Sequence, residues 1–96
     1  MQENYNRNIN QTELQEIINC KNVCLVDVRE EIEFHNFNIG GINIPSHLIN
    51  EQLYLLESYD VLIIGCSNGT ISHILTRVFR KKLPKKNILH LDKGIY

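Results

Sequence analysis

The chain has 96 residues, 43% of them hydrophobic, and this length and composition predict one compact domain covering residues 1–96. Its formal net charge of −1 creates no strong field that would recruit nucleic acid or an anionic membrane surface. No apolar run approaches the roughly 20 residues of a membrane span, and residues 1–10 lack the apolar core of a signal peptide, so we expect a cytoplasmic protein.

The first half of the chain predicts a helix, a strand, a second helix and a short strand, in that order. Asn10 is a candidate helix N-cap, and Glu13 stands where it can close a capping box. Residues 22–28 predict a strand, and their near-continuous apolar run is typical of a strand covered on both faces. A short acidic helix over residues 29–37 and a glycine-rich turn lead to a short strand that stops at Pro45.

The second half of the chain repeats this alternation. Ser46 is a candidate N-cap for a further helix. The inward residues of that helix are predicted to be Leu48, Ile49, Leu53 and Leu56. Residues 60–64 and 87–91 predict buried strands on either side of a longer helix. Apolar residues recur at helical spacing in that longer helix, namely Ile71, Ile74, Leu75, Val78 and Phe79. The alternation indicates an α/β fold with a small parallel sheet of about five strands and helices on both faces.

One cysteine, Cys66, lies where a predicted strand passes into the longer helix. In parallel sheets, ligands bind beyond the carboxyl ends of the strands, which is where Cys66 lies. Free backbone N–H groups and the positive end of the helix dipole would favour its thiolate and lower its pKa. Gly65 and Gly69 would let the backbone curl around the sulfur, because glycine tolerates positive φ angles. This placement predicts a reactive thiol.

The other two cysteines carry no comparable pattern. Cys20 and Cys24 have C-x3-C spacing, but no further cluster of cysteine or histidine completes a zinc site, so we expect no metal. Cys24 lies inside a predicted strand and is expected to be a small core residue. An odd number of cysteines without a secretion signal favours free thiols in a reducing compartment.

Three segments together resemble the motifs of rhodanese-like domains. LVDVREEIEFHNFNIGGINIP, residues 25–45, has a strand ending in Asp-x-Arg-Glu, an acidic helix with Glu-Phe, and a glycine-rich turn before Ile-Asn-Ile-Pro. CSNGTIS, residues 66–72, is similar to the family's active-site loop, Cys-x-x-Gly-x-x-Ser. LDKGI, residues 91–95, is similar to its Leu-x-Gly-Gly element. The resemblance runs from about Ile9 to the last residue and implies a rhodanese-like fold.

The resemblance implies a sulfurtransferase with Cys66 as its catalytic nucleophile. The thiolate would take the outer sulfur of a small donor, either thiosulfate or a persulfide, and hold it as a cysteine persulfide. A thiol or a protein sulfur acceptor would then remove that sulfur. No metal and no organic cofactor would be required. The implied substrate-binding residues are those of the loop, namely Ser67, Asn68, Gly69, Thr70, Ile71 and Ser72.

This loop departs from many members of the family because it has no arginine or lysine to attract thiosulfate. Ile71 stands where arginine, threonine or serine is common, so backbone dipoles alone would stabilise an anionic donor. We therefore expect thiosulfate to be a poor donor. Two positions for the Ile71 side chain stay open: it contacts substrate at the mouth of the site, or it begins the buried face of its helix.

Two other classes of function need comparison with sulfur transfer. A non-catalytic rhodanese-like module that binds a protein partner would need no cation in the loop, but it would not need Cys66 and Gly69 either. A phosphatase of this fold would need an arginine six residues after the nucleophile to bind phosphoryl oxygens, and that position is Ser72. The sequence therefore disfavours a phosphatase and keeps the binding module as the alternative.

Other polar residues near these motifs are predicted to be structural. Asp27 and Arg29 could line the site, but a structural ion pair at the end of the strand is the favoured interpretation. The histidines are expected to be surface or filler residues, except that His73 lies close enough after Cys66 to be worth testing. The full set is His35, His47, His73 and His90.

Overall fold

The structure, a computed structural model, describes residues 8–96, and strands alternate with helices along this part of the chain. The strands are β1 (Asn8–Ile9), β2 (Val23–Asp27), β3 (Ile42–Asn43), β4 (Val61–Gly65) and β5 (Asn87–Leu91). The α-helices are α1 (Gln11–Ile17), α2 (Glu31–Asn36), α3 (Ile49–Gln52) and α4 (Thr70–Lys82). Short 3-10 turns over Ser46–Leu48 and Leu53–Leu56 flank α3 on its two sides.

The five strands form one parallel sheet in the order β1-β5-β4-β2-β3. The central strand β4 pairs with β2 and β5, so that Ile63 lies opposite both Leu25 and Leu89. The predicted α/β fold with a small parallel sheet is therefore confirmed. The edge strand β1 was not predicted, because two residues are too short to show a strand pattern.

The two faces of the sheet bury separate hydrophobic clusters, because successive strand residues point to opposite faces. Leu25 and Ile63 lie in the cluster that also contains Leu14 of α1. Val26 and Ile64 lie in the other cluster, which contains Phe79 of α4. Helices on both faces explain why the strand sequences lack a simple alternation of polar and apolar residues.

The capping prediction for α1 is confirmed, and the one for the helix after β3 is wrong. The Asn10 side chain accepts a hydrogen bond from the Glu13 backbone N–H at 2.8 Å, and the Glu13 carboxylate accepts one from the Asn10 N–H at 3.0 Å. Ser46 instead lies inside the first 3-10 turn, with Pro45 at the N-cap position and no side-chain capping bond. The fixed φ of Pro45 starts the turn one residue earlier than the serine pattern suggests.

The buried face of α4 also differs from the prediction. Ile71 and Ile74 are 56% and 61% exposed, whereas the helix buries Ser72, Thr76 and Phe79. The Thr76 hydroxyl donates to the Ser72 carbonyl at 2.6 Å, so this polar pair satisfies itself within the helix while it faces the sheet. Ile71 therefore does not begin the core face of the helix.

None of the helices between residues 8 and 96 combines the length and the hydrophobicity needed to span a membrane.

Candidate active site

Cys66 follows β4 directly and precedes the first turn of α4. The chain curls between these two elements through Gly69, whose φ of 91° lies in the left-handed region and which occupies the N-cap position of α4. Gly65, in contrast, stays in the extended strand, so the positive-φ prediction is confirmed for Gly69 and wrong for Gly65. The curl places the Cys66 sulfur against the start of α4.

Two backbone N–H groups point at the Cys66 sulfur. The Gly69 N–H and the Ser72 N–H each donate to Sγ at 3.2 Å. These are groups of the first helical turn, which have no carbonyl partner inside the helix and carry the positive end of its dipole. The residue is only 3% exposed, so the sulfur lies in a backbone cradle rather than at the surface.

This cradle sets the ionisation of Cys66. Burial alone would raise the pKa of the Cys66 thiol, but the Ser72 hydroxyl and the backbone N–H groups of Ser72, Asn68 and Gly69 favour the thiolate. Together they outweigh burial, and the pKa of Cys66 is lowered. In β2, burial raises the pKa of the Cys24 thiol, as expected for a core cysteine.

The remaining loop residues differ in what they can offer a substrate. The Ser67 side chain is half-buried and Gly69 is buried, whereas Asn68, Thr70 and Ile71 are exposed around Cys66. The side-chain oxygen Oδ1 of Asn68 accepts a hydrogen bond from the Thr70 N–H at 3.1 Å, and this bond stiffens the loop. Because the exposed side chains are neutral, backbone groups are the electropositive part of this surface.

Ser72 turns its side chain away from the loop surface and toward a buried histidine. Its hydroxyl oxygen lies 2.8 Å from Nε2 of His90, and Nδ1 of the same ring lies 3.1 Å from Oδ1 of Asn8. His90 is 3% exposed, so the prediction that it is a surface or filler residue misses its contact with Ser72. The signal for it was a histidine within the apolar strand pattern of β5.

A cleft of about 460 Å³ opens beside the loop, on the side of His90. Its walls include Asn68, Thr70, His73, His90, Asp92 and Lys93. Cys66 is not among the residues that line it. The cleft therefore reaches the active-site loop from the side of β5.

Asp27 and Arg29 form the predicted structural ion pair. The Arg29 guanidinium donates to both oxygens of the Asp27 carboxylate, with Nη2 at 2.8 Å from Oδ2 and Nε at 3.0 Å from Oδ1. It also donates to the Tyr96 hydroxyl at 3.0 Å and to the Phe37 carbonyl at 2.6 Å. The Asp27 hydrogen bonds are the first cause of a raised Arg29 pKa. All three guanidinium nitrogens donate hydrogen bonds within the protein.

The segment after β5 supports the cysteine loop through backbone hydrogen bonds. The Ile95 N–H donates to the Cys66 carbonyl at 2.8 Å, and the Tyr96 N–H donates to the Ser67 carbonyl at 3.4 Å. Gly94 has a φ of 83°, and a β-carbon there would lie 2.4 Å from the Ser67 carbonyl oxygen. Lys93, at the first glycine position of the family element, takes the same left-handed region with a φ of 67°.

Among residues 8–96, no group of three or more histidine, cysteine, aspartate or glutamate side chains is arranged to hold a metal ion.

Comparison with solved structures finds similar chains. A rhodanese-related protein from Thermoplasma volcanium has a TM-score of 0.76 and 28% identity, over 92% of this chain and 85% of that one. The CoADR-RHD protein of Bacillus anthracis has a TM-score of 0.79 and 22% identity over 96% of this chain, which spans only 16% of that longer protein. A protein of unknown function from Rhodopseudomonas palustris, a possible tyrosine phosphatase, has a TM-score of 0.75 and 13% identity over 92% of this chain and 75% of that one. No family model and no curated protein matches the sequence.

Proposed function

This chain is a rhodanese-like domain, and on that premise we propose that it is a sulfurtransferase that carries sulfur as a persulfide on Cys66. The observation that carries the proposal is the cradle of the Gly69 and Ser72 N–H groups, each 3.2 Å from the Cys66 sulfur. Such a cradle stabilises a thiolate before the reaction and the charged outer sulfur of a persulfide after it.

The reaction has two steps with one sulfur atom transferred in each. In the first, the Cys66 thiolate attacks the outer sulfur of a donor, and the bond between that sulfur and the rest of the donor breaks with its electron pair leaving on the donor remnant. In the second, the thiolate of an acceptor attacks the outer persulfide sulfur, and the sulfur–sulfur bond breaks to return the Cys66 thiolate. The two half-reactions share the enzyme persulfide, so ping-pong kinetics are expected.

The charge distribution favours a persulfide of a small thiol, or of a protein cysteine, as the donor. Loop residues 67–72 carry no cationic side chain, and Arg29 is occupied by Asp27, Phe37 and Tyr96. From loop residues 67–72, free thiosulfate, a doubly charged anion, would meet only backbone dipoles and neutral side chains. A carbon-bearing persulfide, in contrast, can also contact the exposed side chain of Ile71.

The phosphatase alternative lacks its phosphate-binding residue. Ser72 occupies the position that a phosphatase of this fold gives to arginine, and its hydroxyl faces His90 and not the loop surface. The similarity to a possible tyrosine phosphatase is at 13% identity and concerns the fold. Phosphoryl transfer is therefore not the function that this loop supports.

Intact-protein mass spectrometry after incubation with cysteine persulfide tests the proposal. We expect the wild-type protein to gain one sulfur atom, and a thiol acceptor added next should remove it. Cys66→Ser should gain none, whereas the matched variant Cys20→Ser, which changes an exposed free cysteine, should behave as wild type. An equal loss of sulfur uptake in Cys20→Ser would contradict the assignment of the nucleophile.

The alternative function is a non-catalytic module that binds a protein partner, and the low exposure of Cys66, at 3%, is the observation that favours it. The same measurement separates the two functions. A folded wild-type protein that takes up no sulfur from either cysteine persulfide or thiosulfate would exclude the enzyme and leave the binding module.

A further inference from the structure

A line of buried polar contacts leads from the Cys66 sulfur to an imidazole that the two-step reaction above does not use. The Ser72 N–H donates to the sulfur at 3.2 Å, and the hydroxyl oxygen of the same residue lies 2.8 Å from Nε2 of His90. The Ser72 hydroxyl also favours the thiolate form of Cys66. On the other side of the ring, Nδ1 lies 3.1 Å from Oδ1 of Asn8. An amide oxygen only accepts, so Asn8 holds the ring proton on Nδ1 and leaves the Nε2 lone pair facing Ser72.

The geometry points to His90 as a positioning residue that acts through Ser72 and receives the thiol proton of Cys66 when the thiolate forms. The proton leaves Sγ for the Ser72 oxygen while the Ser72 hydroxyl proton moves to Nε2 of His90. The products are a Cys66 thiolate, an unchanged Ser72 hydroxyl and a His90 imidazolium, so one proton moves and the total charge stays the same. This inference rests on the proposed function only in taking Cys66 as the nucleophile.

The surroundings of His90 keep the ring neutral before the proton arrives. Burial lowers the pKa of His90, and the neighbouring His73 and Arg80, both on α4, lower it further. Asp92, just after β5, and the Gly69 carbonyl act in the opposite direction without reversing the shift. A neutral imidazole with its Nε2 lone pair aimed at Ser72 is a proton acceptor that is already in place.

The cleft beside the loop gives the transferred proton a route to solvent. His90 lines the cleft, and Asp92 and the exposed His73 line it as well. The His73 and His90 rings lie 5.6 Å apart between centroids. His90 thus stands between the buried sulfur and a solvent-filled space, which Cys66 does not line.

The first experiment uses the folded protein with an intact His90. An NMR titration of the histidine rings compares the wild-type protein with Cys66→Ser, which cannot form a thiolate. Because binding equilibria are reciprocal, a thiolate that stabilises the imidazolium must raise the titration midpoint of His90 in the wild type above that in the variant. His35, which lies on α2, is the internal control and should titrate identically in both. Equal His90 midpoints in the two proteins would overturn the inference.

The second experiment measures the rate of Cys66 alkylation by iodoacetamide against pH in His90→Gln, Ser72→Ala and the double variant. Glutamine can hydrogen-bond Ser72 but cannot take up a proton. We expect each single variant to react roughly three- to ten-fold more slowly at neutral pH, and the double variant to be no slower than either, because both changes interrupt one path. The matched control His47→Gln changes an exposed histidine that lies outside this path and should keep the wild-type profile.

An additive loss in the double variant, or an equal loss in His47→Gln, would overturn the inference. If His90→Gln does not fold, the NMR comparison decides alone. The proposed function is tested separately by sulfur uptake: coupling between His90 and Cys66 in a protein that takes up no sulfur would reject the sulfurtransferase and retain the relay.

Discussion

Gly94 lies directly against the carbonyl group of Ser67, so closely that a β-carbon on residue 94 would stand 2.4 Å from the carbonyl oxygen and 2.6 Å from the Asn68 α-carbon. The segment after β5 and the cysteine loop are therefore in contact through their backbones. Two hydrogen bonds, from the Ile95 N–H to the Cys66 carbonyl and from the Tyr96 N–H to the Ser67 carbonyl, continue the contact. The geometry of the thiol depends on a distant part of the sequence.

Gly94→Ala is expected to displace the cysteine loop and lower the reactivity of Cys66. The φ of 83° alone costs a non-glycine residue about 1–2 kcal/mol, and the clash with Ser67 adds to it. Gly40→Ala is the matched control, because Gly40 also has a positive φ, 99°, but a β-carbon there meets no atom within 4 Å. Alkylation rate and urea unfolding measure the two effects. An unchanged alkylation rate in Gly94→Ala would show that the loop does not depend on this contact.

Ile71→Arg is expected to yield a folded protein that uses thiosulfate better. Ile71 is 56% exposed, so the substitution should change Tm by no more than about 2–4 °C. A guanidinium beside the loop adds a charge-assisted donor of roughly 1.5–3 kcal/mol, or about one to two powers of ten in kcat/KM for thiosulfate. Ile74→Arg, at a 61% exposed position one turn further along α4, should gain much less. Equal gains in both variants would mean that general electrostatic attraction, and not contact at the loop, is responsible.

Asp27→Ala is expected to destabilise the fold by about 3–5 kcal/mol, because it leaves the buried Arg29 guanidinium without its carboxylate. The matched control is Glu31→Gln, which removes the exposed Glu31–His35 pair, 3.8 Å apart, and should cost less than about 0.5 kcal/mol. Urea unfolding measures both. A loss below about 1 kcal/mol for Asp27→Ala would show that Arg29 finds solvent when its partner is removed.

The free energy of unfolding should decrease as the pH is lowered below about 6.5, because of His90. Burial, followed by His73, lowers the pKa of His90 in the folded chain below the ordinary value of 6.5. Between these two pKa values the unfolded chain binds a proton that the folded chain does not, so the contribution of His90 is complete above about pH 6.5 and is lost as the pH falls through the folded value. Unfolding free energies measured at about pH 7.5 and about pH 5 in Cys66→Ser, and again with His90→Gln added, isolate this slope. The added substitution should flatten it; an unchanged slope would assign the acid sensitivity to other groups.

The position of Cys66 between a strand and a helix could be predicted from the sequence because its causes are local. An apolar strand, a run of small residues and an amphipathic helix follow each other around Cys66, and each pattern extends over only a few residues. The capping box of Asn10 and Glu13 was predictable for the same reason. The ion pair of Asp27 and Arg29 spans two positions at the end of one strand.

The polar contacts behind the nucleophile could not be predicted in this way. His90 meets Ser72 across 18 sequence positions and Asn8 across 82, and neither pairing leaves a periodic trace. Apolar spacing left the position of Ile71 open and wrongly included Ile74 in the buried stripe, whereas the helix turns Ser72 and Thr76 to the sheet. Buried polar side chains such as Ser72 and Thr76 can face the sheet because they have hydrogen-bond partners. The hydrophobic pattern of the sequence does not reveal those partners.

The support of the cysteine loop by Gly94, Ile95 and Tyr96 has a consequence during protein synthesis. The ribosome makes Cys66 before these residues, and the parallel strand β5 that precedes them must also be in place beside β4 before the loop is supported. A nascent chain that has passed Cys66 but not yet residue 96 therefore carries the thiol without its complete cradle. The lowered pKa of this cysteine is therefore expected to develop only once the chain that follows it has been translated and folded.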